Sequence, residues 1–173
     1  MSNYKPRVFK TPHNVDTNHC DDNLTLVNAC LASSAAPIYR SLAAIDHETD
    51  GSYDVFTDGG LWANNPIVVA LTESLRILTD LGDKDESVEI YCLGSCAKPS
   101  GIVIEKDDLA RGLQHWEFGG DVAQVSITAQ EFAFDFIADE LIKHLDRDIK
   151  IIKFPSGEVN NDLMQYLGID ETR

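Results

Sequence analysis

The stretch YDVFTDGGLWANNP, residues 53–66, holds a strand signal, a sharp turn and a helix start in direct succession. Three of its first four residues are strand formers, and Asp58 with the two glycines after it ends the strand abruptly. Asn65 is a good N-cap, and Pro66 fits the first helical position, where a missing N–H goes unused. The stretch therefore predicts that Asp58 lies at the carboxyl end of a strand, just before a helix.

Helix and strand signals continue on both sides of this stretch. Before it, residues 21–37 (DDNLTLVNACLASSAAP) have apolar side chains at helical spacing, and Pro37 ends that helix. After it, the predicted elements are a helix over residues 66–81 with Gly82 as its stop, a strand over 88–94, a long helix over 121–145, a strand over 148–155 and a short helix over 161–168.

Alternating helices and strands are typical of an α/β protein, in which helices cover a mostly parallel sheet. Three predicted strands are few for such a sheet, and its open edge would need a partner. We therefore expect residues 1–173 to be one part of a larger domain.

The charge of the chain narrows the classes of partner. Its 173 residues carry 29 acidic and 14 basic side chains, a formal net charge of −15. Such a charge repels phosphate backbones and anionic lipid surfaces, so we expect no nucleic-acid partner and at most peripheral membrane contact. Residues 1–10 lack the apolar core of a signal peptide, so the expected location is cytoplasmic.

The four cysteines point to no metal or redox chemistry. No two of them have C-x-x-C spacing, and no acidic cluster matches a calcium-binding loop. We expect neither a metal nor an organic cofactor.

Asp58 has two interpretations on spacing alone. Open α/β sheets place catalytic and ligand-binding groups at the carboxyl ends of their strands, which favours a functional acid. An Asp-Gly pair is also a common turn signal, which favours a purely local role. The residues themselves leave both interpretations open.

Three strings together resemble the patatin-like phospholipase family. They are CLASSAAP at residues 30–37, FTDGGL at 56–61 and ANNP at 63–66. In that family a T/S-S-A-A-P string precedes D-G-G or D-G-A, and N-N-P follows. Residues 7–10 and 92–95 are similar to two of the family's strands, whereas beyond about residue 97 the resemblance is faint.

The resemblance implies a three-layer α/β/α fold and a hydrolase of lipid or other acyl esters, which takes part in lipid degradation. Patatin-like enzymes use a Ser–Asp dyad, in which the Asp is the general base for the serine. Asp58 matches that Asp and is the candidate catalytic residue. The positions that match the supporting motif are Gly59, Gly60, Asn64, Asn65 and Pro66.

The chain departs from the family pattern in one large respect. The family's serine lies in a G-x-S-x-G elbow, and a glycine-rich string further upstream supplies the oxyanion hole. Neither string occurs in residues 1–173. We therefore expect this chain to be the C-terminal, acid-bearing part of the domain, without the nucleophile-bearing N-terminal part. Its expected partners are that missing half or a second copy, and the isolated chain is expected to be inactive.

Two alternative functions remain at this point. A truncated or split patatin-like chain without a serine elbow could serve as a non-catalytic interaction module. A phosphoryl-transfer enzyme could instead use Asp58 as its nucleophile, but that chemistry needs Mg²⁺ ligands and a second acid. Gly59 and Gly60 stand where the second acid would be expected.

Overall fold

The described helices and strands include those that the sequence predicts before residue 155, together with a strand and a short helix that it does not. A computed structural model describes residues 5–11, 21–37, 39–47, 50–94, 104–106, 109 and 112–154. The helices are α1 (Leu26–Ser33), α2 (Gly60–Ala63), α3 (Ile67–Asp80) and α4 (Gly120–Lys143), with a 3₁₀ helix over Leu113–Gly119 before α4. The strands are β1 (Ala43–Asp46), β2 (Tyr53–Phe56), β3 (Val88–Leu93) and β4 (Ile149–Phe154). The predicted helix over residues 161–168 lies outside the described residues.

The described strands form two separate pairs. β1 and β2 are antiparallel, because a short turn joins them, closed by a 2.7 Å hydrogen bond from His47 N to Ser52 O. β3 and β4 are parallel, because the chain between them crosses over through α4. The α/β class is confirmed, whereas the described strands do not form the one mostly parallel sheet that was expected.

β1 is the strand that the sequence patterns did not reveal. Its four residues, AAID, contain two alanines, which have little preference for strands. The segment is extended because β2 folds back beside it in register, so that Ala43 faces Phe56 and Asp46 faces Tyr53. Pairing across a turn, rather than local propensity, therefore sets this strand.

The core lies where α3 and α4 pack on the β3–β4 pair. Its most buried members are Ile67 and Leu71 of α3, Val88 and Ile90 of β3, and Ala138 of α4. Ala138 is small enough for α4 to approach its neighbours closely. Each large aliphatic side chain buried there contributes roughly 1.5–3 kcal/mol to stability.

A second interaction ties the irregular N-terminal segment to α3 and β2. Lys10 Nζ lies 2.6 Å from Glu73 Oε1 on α3, and both side chains are largely buried. The ring of Phe9 packs edge-on against Phe56 of β2, with ring centroids 5.3 Å apart. Residues 7–10 therefore lie against this part of the fold as an irregular segment and not as the strand that they resemble.

Asp21, which precedes α1, belongs to this N-terminal arrangement. Its carboxylate accepts hydrogen bonds from the Arg7 guanidinium and from Lys10 N. The cap of α1 is Thr25, whose side chain accepts a hydrogen bond from Asn28 N.

The side of α4 that faces away from Ala138 and the core is apolar and exposed. Val125, Phe132 and Phe136 share one face of the helix and are 57%, 69% and 66% exposed. Surface of this kind on a helix marks a contact with another part of a protein or with a ligand. Among the described residues, no helix is long and apolar enough to cross a bilayer.

Leu71→Ala should destabilise the fold by roughly 2–5 kcal/mol, because Leu71 is fully buried and its truncation leaves a cavity beside Ile67. Leu81→Ala is the matched control, because Leu81 is 74% exposed and its loss should change stability by less than about 0.5 kcal/mol. Urea unfolding of both variants measures the difference. Equal midpoints for the two would contradict this position of the core.

Candidate functional site

Asp58 lies two residues after β2, where the sequence places it. Its backbone N–H donates to the carbonyl oxygen of Ala35 at 3.0 Å, and the Thr57 hydroxyl donates to the same oxygen at 3.2 Å. Ala35 is buried and belongs to the S-A-A-P string. Two strings more than 20 residues apart in sequence are thus joined at one carbonyl group.

The two oxygens of the Asp58 carboxylate have different surroundings. Oδ1 accepts a 2.6 Å hydrogen bond from the backbone N–H of Gly60. Within the described part of the chain, Oδ2 accepts none. Because the side chain is half-buried and held at one oxygen, it presents the other oxygen in a fixed direction.

The two glycines after Asp58 have unequal roles. A Cβ on Gly60 would lie 2.9 Å from Asp58 Oδ1 and 3.0 Å from Asn64 Oδ1, so these atoms fit closely around its Cα. A Cβ on Gly59 would meet only Trp62 Nε1, at an ordinary 3.8 Å. Gly60 is therefore the glycine on which the position of the carboxylate depends.

The N-N-P string connects the turn to α3. Asn65 Oδ1 accepts a hydrogen bond from Ile67 N, the first residue of α3, at 3.2 Å, but Asn65 is not the N-cap that the sequence predicted. The N-cap is Pro66, with φ −81° and ψ 12°, which the sequence had placed at the first helical position instead. Its carbonyl accepts from Ala70 N at 2.9 Å and begins the ladder of α3.

The side-chain amides of both asparagines donate to acids on α4. Asn64 Nδ2 donates to Glu131 Oε1, and Asn65 Nδ2 donates to Asp135 Oδ1 at 2.7 Å. Gln130 Nε2 also reaches the carbonyl of Leu61, at 3.1 Å. Sequence patterns gave only a weak signal for these α4 residues, because Glu131 and Asp135 are four positions apart and so share one face of a helix.

Asp135 also forms an ion pair with β4. Its Oδ2 lies 2.8 Å from Lys153 Nζ. Partial burial of Lys153 lowers its pKa, but the hydrogen bond and the charge of Asp135 outweigh that effect and raise it. Lys153 therefore stays charged near neutral pH and compensates the Asp135 carboxylate.

Two of the described serine hydroxyls are hydrogen-bonded away from Asp58, and the thiol of Cys92 is kept neutral. Ser52 Oγ donates to Asp50 at 2.6 Å, a bond that lowers the pKa of Asp50, and Ser34 Oγ accepts from Arg40. Burial raises the pKa of the Cys92 thiol, so little thiolate is present near neutral pH. In this part of the chain, no serine hydroxyl is hydrogen-bonded to Asp58.

The described residues contain no group of three or more His, Cys, Asp or Glu side chains placed to hold a metal ion. The Asp58 carboxylate, which accepts the Gly60 N–H at Oδ1 and no hydrogen bond from the described residues at Oδ2, is chemically suited to accept a proton.

A family model described as patatin-like phospholipase matches residues 6–71. Three similar curated proteins are each called cGAMP-activated phospholipase. The Escherichia coli protein is 31% identical over 170 residues, covering 94% of this chain and 46% of its own length. The Vibrio cholerae protein is 40% identical over 97 residues (55% and 26%), and the Pseudomonas aeruginosa protein is 32% identical over 129 residues (75% and 35%). No solved structure matches the chain.

The chain spans less than half the length of these curated relatives. The match to the family model nevertheless includes Ala35, Asp58 and the N-N-P string, the positions that the structure brings together. By this match and by the relatives it resembles over most of its length, the chain belongs to the patatin-like phospholipase family.

Proposed function

We propose that these residues form the acid-bearing part of a lipid acyl hydrolase, in which Asp58 is the general base of a Ser–Asp dyad. The serine would come from a segment outside residues 1–173, since the sequence contains no G-x-S-x-G string. The observation that carries the proposal is the asymmetry of the Asp58 carboxylate. Gly60 holds Oδ1, while Oδ2 accepts no hydrogen bond from the described residues.

The chemistry follows from that geometry. Asp58 Oδ2 takes the proton of the serine hydroxyl while the serine oxygen attacks the ester carbonyl, giving a tetrahedral adduct. The adduct collapses to an acyl-serine, and the leaving alcohol receives the proton from Asp58. Water then attacks the acyl-serine while Asp58 takes its proton, and the second adduct collapses as Asp58 returns that proton to the serine oxygen, which releases the fatty acid and restores both residues.

The bond from Gly60 would contribute by fixing direction. A carboxylate free to rotate about its side-chain torsions spends little time aimed at the serine, and small misplacements of catalytic groups are costly. The bond to Oδ1 would thus keep Oδ2 in position to accept the serine proton.

The relatives suggest the substrate and its control. Because each is called a cGAMP-activated phospholipase, we propose that the complete protein cleaves phospholipid esters and is activated by that nucleotide. The proposal includes a three-layer α/β/α domain that the nucleophile-bearing part completes, in a cytoplasmic protein. It requires no metal or organic cofactor.

A non-catalytic interaction module is the second candidate. The exposed apolar face of α4, with Val125, Phe132 and Phe136, favours it, because such a face suits a binding surface as well as a domain interior. Acyl hydrolysis by the complete protein that is lost when Asp58 is replaced would favour the hydrolase over the interaction module.

The isolated chain should show no esterase activity above background, because Asp58 then has no serine hydroxyl to activate and no oxyanion donors beside it. Hydrolysis of a short-chain nitrophenyl ester tests this. Robust turnover that a serine-directed fluorophosphonate abolishes would show that the chain carries its own nucleophile.

In the complete protein that contains these residues, Asp58→Asn should lower the rate of acyl hydrolysis about 10²–10⁴-fold, the usual effect of losing a positioned base. Asparagine has nearly the same shape and can still accept the Gly60 N–H, so the melting temperature should be unchanged. Turnover and melting are measured together.

Asp46→Asn is the control for this experiment. Asp46 is an exposed acid on the neighbouring strand β1, so its substitution should leave both turnover and melting unchanged. Near-full activity of Asp58→Asn with unchanged melting would assign Asp58 to the turn alone and reject the dyad.

A further inference from the structure

We infer that Glu131 and Asp135 of α4 are positioning residues for Asp58, acting through the amide side chains of Asn64 and Asn65. The inference rests on the proposed function, because it names what holds the proposed base in place. Neither acid belongs to the three motif strings, and both lie more than 60 residues further along the chain.

The first line of contact runs from α4 to the carboxylate through Asn64. Glu131 Oε1 accepts from Asn64 Nδ2, which fixes the orientation of that amide. Asn64 Oδ1 then lies against Gly60, only 3.0 Å from where a Cβ would be. Gly60 in turn donates its N–H to Asp58 Oδ1 at 2.6 Å. A turn of the Asn64 amide would therefore disturb the group that orients the base.

The second line of contact runs through Asn65. Asp135 Oδ1 accepts from Asn65 Nδ2 at 2.7 Å, while Asn65 Oδ1 accepts from Ile67 N. Because Lys153 binds the other oxygen of Asp135 at 2.8 Å, the acid is held from β4 as well. Both ends of the Asn65 amide are thereby hydrogen-bonded, which fixes the segment that connects the turn to α3.

The shortness of α2 makes these contacts necessary. The helix has four residues, Gly60–Ala63, and a single turn cannot maintain itself without tertiary contacts because helix nucleation is unfavourable. Gln130 holds its Leu61 carbonyl, and Glu131 holds the Asn64 that follows its last residue. The first residue of this helix is the Gly60 that donates to Asp58, so α4 supports the donor as well as the turn.

Reversal of one hydrogen bond tests the inference. Asn64→Asp places a carboxylate against Glu131 and removes the N–H donor, so the two side chains should repel each other. Adding Glu131→Gln restores the bond in the opposite direction, because the glutamine amide donates to the new carboxylate. Both substitutions keep the shape of the side chain, so the pair changes bonding and charge with little change in packing.

The assay uses the complete protein that contains these residues. Asn64→Asp should lower kcat about 10–100-fold, the scale expected for a small misplacement of a catalytic group, with KM changed less than about twofold. The double variant should recover to within about threefold of the unsubstituted protein. Glu140→Gln, on the same helix but paired with Lys143, is the control and should leave kcat unchanged.

A second measurement needs no activity and uses the 173-residue chain itself. Hydrogen exchange of the Gly60 amide, followed by NMR, should speed up about tenfold in Asn64→Asp and return in the double variant, because the bond to Asp58 opens more often. A role confined to overall stability would instead raise exchange in the core helix α3 to the same extent.

The outcomes separate the two ideas. If Asp58→Asn abolishes activity while Asn64→Asp retains full kcat and normal Gly60 exchange, the positioning inference is overturned and the dyad stands. A loss in Asn64→Asp that Glu131→Gln does not restore also overturns it. If Asp58→Asn retains activity, the proposed function fails, whatever the Asn64 variants do.

Discussion

The carbonyl oxygen of Ala35 is the point on which the arrangement of the site depends. It accepts both the Thr57 hydroxyl and the Asp58 N–H, so the chain leaving β2 is held against the end of α1 immediately before the turn. A buried carbonyl without partners would cost about 1–3 kcal/mol, so the fold gains from keeping these donors in place. The side chain at position 35 is only a methyl group, which lets the two segments approach. The position of Asp58 thus begins with a backbone acceptor supplied by another string.

Local signals were enough to predict much of the fold. The strand over Tyr53–Phe56 and the stop of α3 at Gly82, where φ is +71°, follow from residues within a few positions of each feature. β1 and the antiparallel pairing could not be predicted, because two alanines carry little strand preference and the pairing depends on β2. The single-sheet expectation was wrong for the described strands for the same reason: strand order is a tertiary property that a list of elements does not contain.

The residues of the site likewise include some that local signals predict and some that they do not. Asp58 at a strand end is a local feature that the sequence located, and the start of α3 was predicted to within one residue, since its N-cap is Pro66 and not Asn65. Glu131 and Asp135 could not be found in this way, since acids spaced four apart on a helix are ordinary surface residues in most proteins. Only the fold shows that these two meet Asn64 and Asn65. The acids lie 66 to 70 positions from the asparagines that they contact, so no local sequence motif could include both.

Within the described parts of the chain, the two strand pairs share no hydrogen-bonded neighbours, so their connection there comes from other contacts. α4 supplies such contacts with residues that follow one another along a single face of the helix. Ala138 packs into the core with α3 and β3, Asp135 binds Lys153 of β4, and Glu131 reaches the turn that follows β2. A helix is stiff over these two turns, so the distance between core and turn is set by the helix itself. Two sets of contacts therefore hold Asp58. Its backbone N–H donates to the Ala35 carbonyl, and its carboxylate accepts from Gly60, whose turn α4 contacts through Asn64. Neither Ala35 nor α4 belongs to strand β2, which precedes Asp58.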